Sequence, residues 1–135
     1  IKYKEQASYS EIIKFVKRVK KNKEKTLKFI KENIKRDKKI FIYGASTKGN
    51  TLLQYYGLTN KEIPFAAERT RAKWGKYTIG SGVKILSEEK ARKLKPDYFF
   101  VMPYGFIKEF VKREKKWLKS GGKFLLPYPS FKVIR

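Results

Sequence analysis

The chain has 135 residues, enough for one domain with a real core. Its 35 Lys and Arg against 12 Asp and Glu give a formal charge of +23, yet 41% of the residues are hydrophobic and 16% aromatic, too much apolar matter for a disordered polycation. The absence of Cys and His excludes disulfide frameworks, thiolate chemistry, His-based triads and the common zinc sites. No run approaches the roughly 18 continuous apolar residues of a membrane span, and no signal peptide is present, so a cytoplasmic protein without membrane contact is expected. The few carboxylates do not cluster, and no metal site is expected.

The chain begins at Ile1 and its one methionine is Met102. It is therefore expected to be a processed product or a domain of a longer protein. Residues 9–36 lack Gly and Pro. Their apolar positions, Ile12, Val16, Val19, Leu27, Ile30 and Ile34, fall at three- and four-residue steps, with Lys23 interrupting the stripe. Ser8 and Glu11 have capping-box spacing. One long amphipathic helix is expected, or two shorter ones meeting near residues 20–25. Such a helix would suit a connector from a preceding domain.

Lys39 to Tyr43 then reads as a buried strand running into Gly44-Ala45-Ser46-Thr47-Lys48-Gly49-Asn50. A helix over Thr51–Tyr56 stops at Gly57. Ile63–Ala67 reads as a second strand ending at Glu68-Arg69, followed by a polar and aromatic loop, Thr70 to Gly82, with no structure of its own. Val83–Leu86 is a short strand, and Ser87 caps a helix reaching about Leu94. Pro96-Asp97 opens a strong strand, Tyr98–Met102. Phe106 to Leu118 is helical by its spacing, with Gly121-Gly122 as the stop. Lys123–Leu126 is the last strand. Strands that are continuous apolar runs, alternating with helices, predict an α/β fold. The expected architecture is a mostly parallel sheet of about five strands with flanking helices, preceded by the long N-terminal helix. The chain divides at 1–38 and 39–135.

The sharpest site candidate is the loop after the first strand. Gly44-x-Ser46-x-x-Gly49 is one substitution from the dinucleotide-binding pattern, in the required strand–loop–helix context. Gly44 allows a tight turn, Gly49 lets the helix pack close, and the free amides of the helix start favour an anion. Ser46 and Thr47 add hydroxyls and Lys48 a charge. Two readings stand: a phosphate or pyrophosphate site, or a capped turn with no guest. Asn50 stands where a P-loop requires Lys. Glu68 is placed to meet ribose hydroxyls or to sit solvated beside Arg69. In the following loop, Arg69, Arg71, Lys73 and Lys76 could hold phosphates while Trp74 and Tyr77 stack on a base, or the two rings could simply plug the loop onto the sheet. Tyr104 follows the third long strand at the ligand-binding edge, and Phe106 reads as core.

Taken together, residues 43–54 (Tyr-Gly-Ala-Ser-Thr-Lys-Gly-Asn-Thr-Leu-Leu-Gln), Glu68-Arg69, residues 73–78 (Lys-Trp-Gly-Lys-Tyr-Thr), Pro96-Asp97-Tyr98 and residues 121–124 (Gly-Gly-Lys-Phe) resemble the C-terminal domain of bacterial S-adenosylmethionine-dependent sugar C-methyltransferases. The resemblance runs from about Lys39 to Val133. It implies a Rossmann-like domain that helps hold a nucleotide-diphosphate sugar. It also implies an upstream domain of the same chain that binds S-adenosylmethionine and catalyses methyl transfer to a carbon deprotonated beside a carbonyl. No cofactor is expected in this fragment, which should be inactive alone. The expected substrate-binding residues are Gly44, Ser46, Thr47, Lys48, Gly49, Asn50, Glu68, Arg69, Lys73, Lys76, Tyr77 and Tyr104; no catalytic residue is nominated. Tyr104-Gly105 and residues 79–82 (Ile-Gly-Ser-Gly) depart from the family's usual residues at the ligand edge. That keeps open an interaction domain that has lost its ligand. The charge suggests a nucleic-acid-binding module as the other alternative. Against it, Lys outnumbers Arg 28 to 7 and the charge is spread along the chain, so non-specific attraction is expected.

Overall fold

The computed structural model describes residues 8–101, 104–127 and 130–135; of Lys48 and Tyr104 the backbone alone is described. A single helix, α1 (Tyr9–Lys35), opens the fold without a break, and the Ser8 hydroxyl accepts from the Glu11 amide as its cap. Its 27 residues span about 40 Å. The stripe does two different things along this length. In the second half Thr26, Ile30 and Asn33 are buried on the sheet, joined by Leu27, Phe29 and Ile34. In the first half Tyr9, Ile12, Phe15 and Val16 are exposed. Lys23, the interruption, holds its ammonium 4.6 Å from the centre of the Tyr55 ring. A cation on an aromatic face is compatible with this partly covered position.

Six strands form one sheet: β1 (Ile40–Tyr43), β2 (Phe65–Glu68), β3 (Lys84–Ser87), β4 (Tyr98–Val101), β5 (Lys123–Leu126) and β6 (Lys132–Ile134). Their order is β3-β2-β1-β4-β5-β6, all parallel except the antiparallel β5–β6 pair. β6 goes beyond the sequence expectation of about five strands. Three residues after a proline-bounded segment carry too little pattern to be read as a strand. The expected strand end at Met102 lies outside the described residues.

Side chains alternate across this sheet even where the run is wholly apolar. Ile40 and Ile42 of β1 point to one face, with Ala66, Ile85, Phe100 and Leu125, and are covered by α1 and by α2 (Thr47–Tyr56) through Leu53 and Tyr56. Phe41 and Tyr43 point to the other face, with Ala67, Phe99 and Phe124. That face is covered by α3 (Glu88–Lys93), α4 (Ile107–Arg113) and α5 (Lys115–Lys119) through Ala91, Phe110 and Trp117. Fully burying each such aromatic side chain stabilises by about 2–3 kcal/mol. The rings also meet edge to face: Tyr43 lies 4.9 Å from Phe99 and 4.8 Å from Phe110.

The expected helix over Phe106–Leu118 is bent into two at Glu114, which sits at φ −101°, ψ 24°. Amides continue to reach back four residues across the bend, Glu114 to Phe110 and Leu118 to Glu114, so the apolar spacing survives it. Phe106, expected in the core, is 59% exposed. The chain turns in a 3-10 turn over Tyr104–Phe106 before α4 begins, which takes Phe106 off the helix's buried stripe.

Gly122 follows α5 because the indole of Trp117 lies where its Cβ would be. Gly122→Ala is expected to lower stability by about 2 kcal/mol through overpacking. Urea unfolding should show this as a lower midpoint with unchanged slope.

Candidate functional site

Strand order reverses its direction of growth between β1 and β4. The helix after β1 covers one face and the helices after β4 the other. The loops therefore part above these strands and leave a crevice, the place where open α/β sheets take ligands. The crevice has a volume of about 220 Å³. Its walls include Gly44, Ala45 and Ser46 from the first loop, Glu68, Arg69 and Lys73 from the end of β2 and the loop after it, Phe106 from the turn before α4, and Phe110 and Arg113 from α4 itself. A wider cleft of about 510 Å³, with Trp74 in its wall, shares Glu68, Arg69 and Glu88 with it.

The first loop is shaped for a tight turn. Gly44 has φ 88°, a conformation that side chains disfavour, and its amide donates to the Ala67 carbonyl at 2.8 Å. The Ser46 hydroxyl accepts from the Gly49 amide at 3.0 Å and caps α2. The helix thus starts four residues earlier than the sequence spacing suggests, at Thr47, and the buried Gly49 lies in its first turn. Among the described residues the amides of Ser46 and Thr47 donate to nothing. Two donors at a helix start without a partner among the described residues carry partial positive charge, and Ser46 belongs to the crevice wall.

Glu68 holds this loop to the next one. One carboxylate oxygen accepts from the Ala45 amide and the other from the Thr70 amide, each at 2.9 Å. Lys73 donates to the Ala45 carbonyl at 2.9 Å and lies 3.9 Å from the Glu68 carboxylate. Lys73, rather than Arg69, is the partner of Glu68. Burial works to raise the pKa of Glu68, but the two amides and Lys73 outweigh it and hold the carboxyl below its usual range.

The segment expected to lack structure, Thr70 to Gly82, is organised. It forms a 3-10 turn at Arg71–Lys73 and then an antiparallel bridge from Tyr77 to Lys84. Gly75 donates to the Ile85 carbonyl, Ile85 to that of Lys76, and Thr78 to that of Val83. The Trp74 indole donates to the Glu68 carbonyl at 2.7 Å. Two side chains of α2 tie down its far end: Asn50 accepts from the Ser81 hydroxyl at 3.1 Å, and Gln54 donates to the Ile79 carbonyl at 2.9 Å.

Of the expected site residues, the fold brings Gly44, Ser46, Glu68, Arg69 and Lys73 to one crevice. Thr47 is exposed at the start of α2, and Gly49 is buried behind it. Asn50 tethers the 78–82 turn. Lys76 and Tyr77 line neither the crevice nor the wider cleft, and Tyr77 is 60% exposed. The side chains of Lys48 and Tyr104 lie outside the described residues.

Sequence reasoning missed a charged network beneath the crevice. Glu114, 2% exposed, receives both the Nε and Nη2 of Arg92. It also accepts from the Tyr43 hydroxyl at 2.8 Å. Arg113 donates to the same hydroxyl at 2.9 Å and to the Glu88 carboxylate. Burial first, then the bond to Glu114, pushes the Tyr43 phenol well above its usual pKa and keeps it a donor. Burial opposes the charge on Glu114, but Arg92 and Tyr43 outweigh it and hold its pKa below the usual range. In the sequence Arg113 and Glu114 sit in a run, residues 112–116, that reads as a solvated face. Only the i,i+4 pair of Glu88 and Arg92 carries a signal.

Among the described residues no cluster of potential metal ligands occurs and no helix is long and apolar enough to cross a membrane. The family model for the C-terminal domain of C-methyltransferases matches residues 2–129, and the chain belongs to that family. Among curated relatives, it is similar to the C-methyltransferase NovU of Streptomyces niveus, with 40% identity over 92 residues. That match covers 68% of this chain and 22% of the relative. The family match begins well before Lys39 and takes in α1.

The two depressed carboxyls set a sign for acid unfolding. Their contribution is complete above the ordinary value of 4.5 and is lost as pH falls through their native values. Thermal melts across pH should therefore show no loss from these groups near neutrality and a decline in the acid range. Glu114→Gln should cost about 3 kcal/mol at neutral pH, by taking away the buried carboxylate of Arg92 and leaving it Glu88 at 3.7 Å, and should make the acid decline shallower.

Proposed function

We propose that this chain is the substrate-holding domain of an S-adenosylmethionine-dependent C-methyltransferase and that the crevice above β1 and β4 takes the diphosphate of a nucleotide sugar. The observation that carries this reading is the pair of amides at Ser46 and Thr47, free among the described residues, at a crevice walled by Ser46, Arg69, Lys73 and Arg113. Anions at a helix start are stabilised by unpaired amides and by the dipole, and side-chain cations add to this. Lys73 has two jobs in this reading. It fixes the loop through Ala45 and lends charge to the site.

S-adenosylmethionine is assigned to a preceding part of the enzyme, which would supply the methyl group. A test of the crevice against an adenosine ribose gives a poor fit. Glu68, the carboxylate at the position that takes ribose hydroxyls in dinucleotide folds, has both oxygens bound to its own loops. What this domain contributes is position: it would hold the sugar so that the carbon beside its carbonyl meets the methyl donor. The bare first half of α1 continues the stripe that packs on the sheet, and the preceding domain is assigned to cover it. The chain spans 22% of the length of the curated relative, which leaves ample length for such a domain in an enzyme of that size. Affinity for nucleic acid is assigned to the dispersed charge alone and should vanish at physiological salt.

Calorimetry with a thymidine- or uridine-diphosphate sugar, on protein that includes the preceding domain, tests this reading. Saturable binding is expected. Lys73→Ala should weaken it by about tenfold, the loss of one charge-assisted contact. Gly49→Val should weaken it further by crowding the start of α2. Absence of nucleotide-sugar binding by the intact enzyme would sink the proposal. Residues 1–135 alone are expected to transfer no methyl group from labelled S-adenosylmethionine.

A further inference from the structure

Arg113 sits at the end of α4 and lines the crevice with a side chain 24% exposed. Its guanidinium is held from several directions. Nη2 donates to Tyr43 and to Glu88. The guanidinium carbon lies 5.6 Å from the centre of the Tyr43 ring and 5.3 Å from that of Phe110. A guanidinium has five N–H donors in a rigid fork. Among the described residues both bonds run through Nη2, and Nε and Nη1 donate to nothing.

The network does not need Arg113 to neutralise its buried carboxylate. Glu114 already has the full fork of Arg92 and the Tyr43 hydroxyl. That asymmetry separates the two arginines: one is spent on Glu114, and the other is tethered by a single nitrogen. A cation fixed in place before binding loses little freedom when an anion arrives.

We infer that Arg113 is an anion-binding residue of the crevice, a preset guanidinium on the wall supplied by α4 that donates to a diphosphate through its unused N–H groups. This rests on reading the crevice as a diphosphate site. It adds a donor from the β4 side to those of the β1 loop, so that the anion is held from both sides of the switch point. Tyr43 and Glu88 act as positioning residues in this arrangement. They set the angle of the fork and do not touch the ligand.

The test uses the intact enzyme, calorimetry at about 0.15 M salt to screen diffuse attraction, and two probes, thymidine diphosphate and inorganic pyrophosphate. Arg113→Gln should weaken both probes by about ten- to a hundredfold, the loss expected when charge-assisted bonds are removed. Arg113→Lys keeps a cation within reach of Glu88 but has no fork, and should recover only part of the loss. Should Arg113→Gln fail to fold, Arg113→Lys decides alone: wild-type affinity in it overturns the inference. If folded Arg113→Gln binds both probes as the wild type does, the inference is also overturned. Pyrophosphate binding that depends on Arg113, with no preference for the nucleotide, would uphold the inference and sink the nucleotide-sugar reading. Binding of neither probe by the wild type would sink both.

Discussion

The carboxylate of Glu114 is the point on which the crevice side of the fold depends. It is buried under the sheet, where an unpaired charge would cost several kcal/mol. Arg92 from α3 and Tyr43 from the end of β1 both come to it. Through Tyr43 it fixes the hydroxyl that Arg113 also meets, and through Arg113 it reaches Glu88 at the start of α3. Two helices, α3 and α4, and a strand are thus referred to one group. Hydrophobic burial would let these elements slide against one another, since apolar contact has no direction. Hydrogen bonds to a fixed carboxylate set their angles, and those angles set where the mouth of the crevice lies.

A second strut, Glu68, performs a related task at the surface end of β2. It binds an amide from each of two loops. With Lys73 it closes a small ring of contacts around Ala45. The site therefore rests on two carboxylates that serve the protein's own groups, Glu68 the backbone and Glu114 side chains, while the groups left for a ligand are donors. A protein of this composition has few carboxylates to use, and three of the 12, Glu68, Glu88 and Glu114, are committed to framing this one place.

Much of the fold could be read from the sequence because its signals are local. The apolar runs at 40–43 and 98–101, the caps Ser8 and Ser87, and the stop at Gly57 each depend on neighbours within a turn or two. The loop at Gly44 to Gly49 could be read for the same reason. The bend at Glu114 could not, because its cause is a partner 22 residues away and the helical spacing continues through it. The order in Thr70 to Gly82 was hidden as well. Its anchors are backbone amides, which leave no mark in the sequence, and the side chains of Asn50 and Gln54, which lie on another element. Arg113 and Glu114 sit in a run of charges that looks like any solvated helix face. What distinguishes them is where the sheet places Tyr43.

The ribbon at Gly75 to Thr78 has one more consequence. It pairs with β3 at one margin of the sheet, while β6 runs antiparallel along β5 at the other. β3 and β5 thus have their outward hydrogen-bonding groups at least partly occupied by short segments of the same chain. An open parallel sheet of such aromatic strands would be a template for stacking copy upon copy. Here each margin is hemmed by a short piece of the same chain. A new molecule meets lysines, Lys76 and Lys132, where it would otherwise find an exposed ladder.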